Sequence, residues 1–111
     1  MVYAMAGKAK LRERREYWIT GGSRAIIEVL EVEDERFADG MRFTYRLLSP
    51  EGKTMFAIEN EHGTPHMHRG ERKTNLECDW EGGLKQFQEL VREYEKRKTG
   101  NRRDAGDAYG K

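Results

Sequence analysis

Apolar and polar residues alternate most regularly in the middle of the chain. Met41, Phe43, Tyr45 and Leu47 fall on one parity, and Arg42, Thr44 and Arg46 on the other. That period of two is the pattern of a strand with one buried face. Upstream, Arg14 to Thr20 carries Tyr17, Trp18 and Ile19, which favour strands, and Gly21-Gly22 marks a hairpin turn. Arg24 to Val32 has Ile27 and Val29 on one parity and Ile26, Leu30 and Val32 on the other. This predicts a strand covered on both faces for part of its length. Asp39-Gly40 is the next turn signal, and Ser49-Pro50-Glu51-Gly52 presets another. Lys53 to Glu61 returns as a strand, interrupted at Gly63-Thr64-Pro65. His66 to Asn75 reads as extended, and Leu76 to Cys78 as strand or loop.

From Trp80 the period changes. Leu84, Phe87, Leu90, Val91 and Tyr94 recur at spacings of three and four, the stripe of an amphipathic helix. Asp79 suits the N-cap, Glu81 the positive end, and Lys96 to Lys98 the negative end, with Gly100 as a stop. Gly82-Gly83 weakens the first turn by about 1 kcal/mol per glycine. The predicted fold class is therefore α+β: an antiparallel β-meander of about four to five strands, packed by one C-terminal α-helix through Phe43 and Tyr45.

The ends lack periodicity. Residues 1–13 read as a flexible basic N-terminal segment, 14–98 as a single α+β domain, and 99–111 as a disordered polar tail, because their composition does not offset the entropy of ordering. The chain has 111 residues, 37% of them charged, and a mean hydropathy of -0.99. No apolar run approaches the ~18 residues of a membrane helix. Met1 to Ala6 is too short for the apolar region of a secretory leader. Cys78 is the sole cysteine, so neither an internal disulfide nor a cysteine-based zinc site is expected. These features predict a cytoplasmic protein without membrane association. The net charge of +1 hides three basic groups: Lys8 to Arg15, Arg69 to Lys73, and Arg92 to Arg103. Taken singly, each fits a solvated surface. Together they allow a basic patch.

The chemistry concentrates in one segment, Glu59 to Arg72, which holds all three histidines, His62, His66 and His68. On an extended segment His66 and His68 share a face. A histidine pair suits three tasks. With Glu59, Glu61 or Glu71 it can bind a metal, His62, His66 and His68 being the candidate ligands. It can act as general base and general acid. It can also contact phosphate beside Arg69 and Arg72. The second task matches metal-independent RNA cleavage, in which a base takes the 2′-hydroxyl proton, an acid protonates the leaving 5′-oxygen and a cation stabilises the phosphorane. Acid–base work ranks above metal binding, so no cofactor is expected. Against all three stands the plain reading of His-x-His as a surface or turn motif. Cys78 reads as a small buried residue rather than a nucleophile. Trp18 and Trp80 read as packing at the core or helix entry rather than as base-stacking platforms.

Asn60-Glu61-His62-Gly63, His66-Met67-His68 and Gly70-Glu71, with the closing helix that follows, resemble the TumE-like toxin family of prokaryotic toxin–antitoxin systems. The likeness covers about half the chain; residues 1–39 add only the meander. It implies a small α+β toxin acting on RNA and neutralised by an antitoxin partner, and it carries over to Asn60, His62, His66, His68 and Glu71. The basic N-terminal stretch and the polar tail depart from that pattern. The expected function is thus a ribonuclease-type toxin with His66, His68 and His62 as catalytic candidates and Arg69, Arg72, Asn60 and Glu71 as substrate-binding ones. The alternative is a non-catalytic nucleic-acid-binding or protein-interaction module. An open strand edge allows a homodimer or an antitoxin complex.

Overall fold

The computed structural model describes residues 9–37 and 39–110, with side chains as far as Lys98. Six strands follow one another as β1 (Ala9–Ile19), β2 (Ser23–Val32), β3 (Met41–Leu48), β4 (Thr54–Glu59), β5 (His66–Arg69) and β6 (Arg72–Asn75), and a helix α1 (Trp80–Gly110) closes the chain. The strands form one antiparallel sheet in the order β1-β2-β3-β4-β5-β6. Each strand thus pairs with its neighbour in sequence, as short turns dictate.

The α+β meander matches the sequence expectation, with one strand more than four to five. The extra strand arises because His66 to Asn75 folds back on itself. Gly70, with φ of 62°, takes the first central position of the tight turn between β5 and β6, where a glycine is favoured. Residues 9–13 of the expected N-terminal segment lie in β1: Lys10 and Leu11 pair with Glu31 and Leu30, and Arg12 reaches Glu31 at 3.1 Å. The remainder of that segment, 1–8, lies outside the described residues. The helix backbone continues past Gly100 to Gly110; a glycine inside a helix costs only about 1 kcal/mol. The side chains of the tail 99–111 lie outside the described residues.

The helix covers one face of the sheet. Ile27, Val29, Phe43, Tyr45, Leu47 and Ile58 are buried there with Phe87 and Val91 of α1. Phe43 stacks on Tyr45 at 5.1 Å, and Phe87 meets Tyr45 and Phe56 at 5.8 Å each. Full burial of Phe87 contributes roughly 1.5–3 kcal/mol. Asp79 caps the helix as expected, accepting from the Gly82 N–H at 2.7 Å. Gly83 of the first turn has a packing reason: a Cβ there would lie 3.3 Å from Phe43, so its absence lets the helix approach the sheet. At the far end Ser23 and Tyr94 hydroxyls meet at 2.9 Å.

The other face of the sheet, left open by α1, carries the opposite parity. Two rows run across it. One is Arg14, Glu28, Thr44, Glu59, His66, Asn75; the other is Glu16, Ile26, Arg46, Ala57, His68, Lys73. Ile26, Ala57 and Leu48 are buried within it, flanked by long polar neighbours whose stems cover apolar surface. The both-sided burial expected of β2 is thus present at Ile26 and Ile27.

Candidate functional site

The histidine pair is built by β5. Alternation puts Met67 and Arg69 on the helix side, where Met67 packs on the core, and His66 and His68 on the open face. The two rings lie 6.1 Å apart, centroid to centroid, tilted by 52°. Glu59 of β4 stands directly across from His66 and diagonally from His68, and its Oε2 is 2.7 Å from His68 Nε2. Its other oxygen, Oε1, accepts the Glu61 N–H at 2.6 Å. Glu61 in turn accepts the Thr44 hydroxyl of β3 at 3.0 Å. The chain Thr44–Glu61–Glu59–His68 therefore fixes both the position and the tautomer of His68. An ionised Glu59 can only accept, so Nε2 carries the shared proton, and in the neutral ring Nδ1 is then the acceptor.

Burial pushes the Glu59 carboxyl up, but the Glu61 N–H and the His68 ring outweigh it and hold it below the ordinary carboxylate value. The carboxylate form is thereby favoured, which is the form that can orient an imidazole.

The remaining candidates occupy other places. Asn60 is buried, its Oδ1 accepting from Phe43 N–H at 2.8 Å and its Nδ2 donating to Met41 O at 3.0 Å. Both ends of its amide are thus spent on β3, extending the pairing past Glu59. His62 is exposed in the turn that follows, and no contact joins it to His66 or His68 among the described residues. That turn packs on the β2–β3 loop: a Cβ on Gly63, with φ of 103°, would fall 2.7 Å from Arg36 O. Glu71 is exposed in the β5–β6 turn. Arg69 pairs with Arg72 across the hairpin and with Phe56 of the core-facing set. Arg69 and Arg72 therefore project from the face opposite His66 and His68. Adjacency in sequence suggested a shared site; strand alternation separates them.

Other cations do share the open face with the histidines. In the row of His68 they are Lys73, directly across on β6, and Arg46, beyond Ala57. Arg42 joins them from β3. Among the described residues, none of these three makes an ion pair, whereas Arg14 and Arg24 on β1–β2 lie 3.3 Å and 3.0 Å from Glu16. The cations without an ion pair thus lie on the half of the face that holds the histidines. The signal available in sequence was the polar parity of Arg42, Thr44 and Arg46.

Trp18 corrects a further expectation. It is 72% exposed and lies on the open face, with the Arg24 guanidinium 5.6 Å from its ring centre. It is not a core residue, because Tyr17 and Ile19 take the buried parity of β1. Trp80 does sit at the helix entry, half-buried, its carbonyl receiving the Tyr45 hydroxyl at 2.7 Å. Burial pushes the half-buried Cys78 thiol up, which disfavours a thiolate nucleophile.

Among the described residues no three His, Cys, Asp or Glu side chains are grouped to hold a metal ion, so a site at His62, His66 and His68 lacks its geometry. A groove of about 490 Å³ lies between the ends of β1, β2 and β3, lined by Lys10, Glu31 and Met41 among others; the histidines lie instead on the sheet surface. No described helix is long and apolar enough to cross a membrane. Comparison with protein-family models, with curated proteins and with solved structures gives no match for this chain.

Proposed function

We propose that the protein acts on RNA and cleaves it without a metal, using His68 and His66 on the open face of the sheet. The observation that carries this reading is the Glu59–His68 contact at 2.7 Å beside a second imidazole 6.1 Å away. His68 Nδ1 takes the proton of the ribose 2′-hydroxyl as the 2′-oxygen attacks phosphorus. Positive charge then develops on a ring already held by the Glu59 carboxylate. His66, in its protonated form, gives a proton to the departing 5′-oxygen. The products are a 2′,3′-cyclic phosphate and a 5′-hydroxyl. Arg46 and Lys73 replace Arg69 as the cations facing the phosphorane. A surface site suits a polymer, which brings its own length of contacts, better than a small ligand that needs enclosure. The resemblance at Asn60 to Glu71 supports a toxin role with an antitoxin partner, in the cytoplasm.

The test is purified protein incubated with single-stranded RNA in the presence of a chelator. Cyclic phosphate ends that vanish in His68→Ala and His66→Ala support the proposal, as does growth arrest on expression of the parent but not the variants. RNA left intact with and without divalent metal overturns it. Arg42, Arg46 and Lys73, without ion pairs among the described residues, favour a second reading, a binding module without catalysis. Such a module keeps its affinity in His68→Ala and loses it steeply with added salt.

A further inference from the structure

Trp18 is the one Phe, Tyr or Trp among the described strand residues of the open face. One large exposed ring is ordinary on a protein surface. Three features set this one apart. Its ring is backed by Arg24, whose guanidinium is itself anchored on Glu16 at 3.0 Å. Such a cation–aromatic contact holds the ring against the guanidinium while most of the indole stays exposed. Next, Trp18 and Arg24 abut the row that runs Glu16, Ile26, Arg46, Ala57, His68. In that row Ile26 and Ala57 are buried beneath their longer neighbours, and the exposed side chains between Trp18 and the histidines are polar or charged. Finally, Arg46 stands midway along that row, exposed and with no ion pair among the described residues, a cation placed for a backbone phosphate.

We propose that the substrate is single-stranded RNA, laid across the strands, with an unpaired base stacked on the Trp18–Arg24 platform while the scissile phosphate lies at His66 and His68. The inference rests on the RNA reading above and specifies which form of RNA is taken. Four inter-strand spacings separate β1 from β5, or roughly 19 Å at ~4.8 Å each, which a run of several extended nucleotides spans. A duplex has no free base face to offer the ring.

The test uses a Trp80→Phe background, which leaves Trp18 as the only tryptophan. A short 2′-O-methylated single strand, which cannot be cleaved, is titrated against intrinsic fluorescence. Saturable quenching is expected, with affinity roughly tenfold weaker in Trp18→Ala and partly recovered in Trp18→Phe. A duplex of the same sequence should bind more weakly and quench little. Equal affinity of parent and Trp18→Ala, or equal quenching by the duplex, overturns the proposal. Exposure of Trp18 makes both variants safe for folding. Cleavage is scored separately. RNA cut by Trp18→Ala with an unchanged KM removes the platform and leaves the ribonuclease reading. Trp18 quenching in a protein that cuts nothing keeps the platform and removes the catalysis.

Discussion

Replacing Glu59 by Gln tests the central contact with almost no change of volume. Glu59 offers two oxygens to two donors, the Glu61 N–H at 2.6 Å and His68 Nε2 at 2.7 Å. Glutamine has one oxygen. The backbone N–H can only donate, so that oxygen must turn to Glu61 and the NH2 must face His68. His68 Nε2 then becomes an acceptor and its proton moves to Nδ1, the nitrogen that would otherwise act as base. Loss of an orienting partner of this kind typically lowers activity about 10–100-fold. A charge-assisted hydrogen bond contributes roughly 1.5–3 kcal/mol. His68 is 37% exposed, so solvent screening reduces this to about 1 kcal/mol. The pH dependence has a definite sign. The carboxyl is held below its ordinary value in the folded protein, so its contribution is present above about pH 4.5 and is lost as pH falls through the lowered folded value. Parent and Glu59→Gln should therefore differ in urea stability at neutral pH and converge in acid. Long-range 1H–15N correlation on the His68 ring reads the tautomer directly, whether or not RNA is cut. A ring still protonated at Nε2 in Glu59→Gln, or a stability gap that persists in acid, refutes the reasoning.

Other substitutions address the rest of the arrangement. Arg46→Ala should weaken RNA binding and reduce the slope of log affinity against log salt by about 1, while Arg69→Ala, on the opposite face, should leave cleavage unchanged; filter binding and a cleavage assay across a salt series decide between them. Asn60→Ala strands the Phe43 N–H and the Met41 carbonyl and should cost about 2 to 4 kcal/mol in urea denaturation, with activity per folded molecule retained. Gly63→Ala places a methyl 2.7 Å from Arg36 O at a φ of 103° and should cost about 2 kcal/mol or more, seen as a lower melting temperature.

The strands of the meander and the capped helix were legible because each rests on a local rule. Alternation set the buried parity of Met41 to Leu47, and Asp79 with the stripe from Leu84 to Tyr94 set the helix start and its inner face. Where local rules gave no decision, the reading fell short. Gly70 divides β5 from β6, but a run as short as His66 to Asn75 does not reveal whether it continues or folds back. The sequence ends α1 at about Lys98, before Gly100, because a glycine stops a helix as readily as it is tolerated within one. Asn60 looked like a ligand because a polar residue beside histidines invites that reading. Its burial follows from the need of β3 for partners beyond Glu59, which is a property of the sheet and not of the segment.

The candidate site shows why a sequence neighbourhood and a chemical neighbourhood differ in a β protein. Residues one apart on a strand face opposite ways, so His68 and Arg69 are divided by the sheet itself. Residues brought side by side belong to a row across strands: Arg46, Ala57, His68 and Lys73 are drawn from positions 46 to 73. The small Ala57 matters in that row, because a large side chain between Arg46 and His68 would wall the cation off from the imidazole. The even–odd pattern could identify the face of each residue, and it did so for Arg42, Thr44 and Arg46. It could not identify the row, since that requires the register between strands, and the register is set by turn lengths and by the irregularity between Leu47 and Leu48. If β4 slid one residue against β3 and β5 moved with it, Glu59 would leave the open face while Arg46 stayed on it. The same slide would turn Phe56 and Ile58 out of the core, so the packing that fixes the register also fixes the pairing of charge with imidazole.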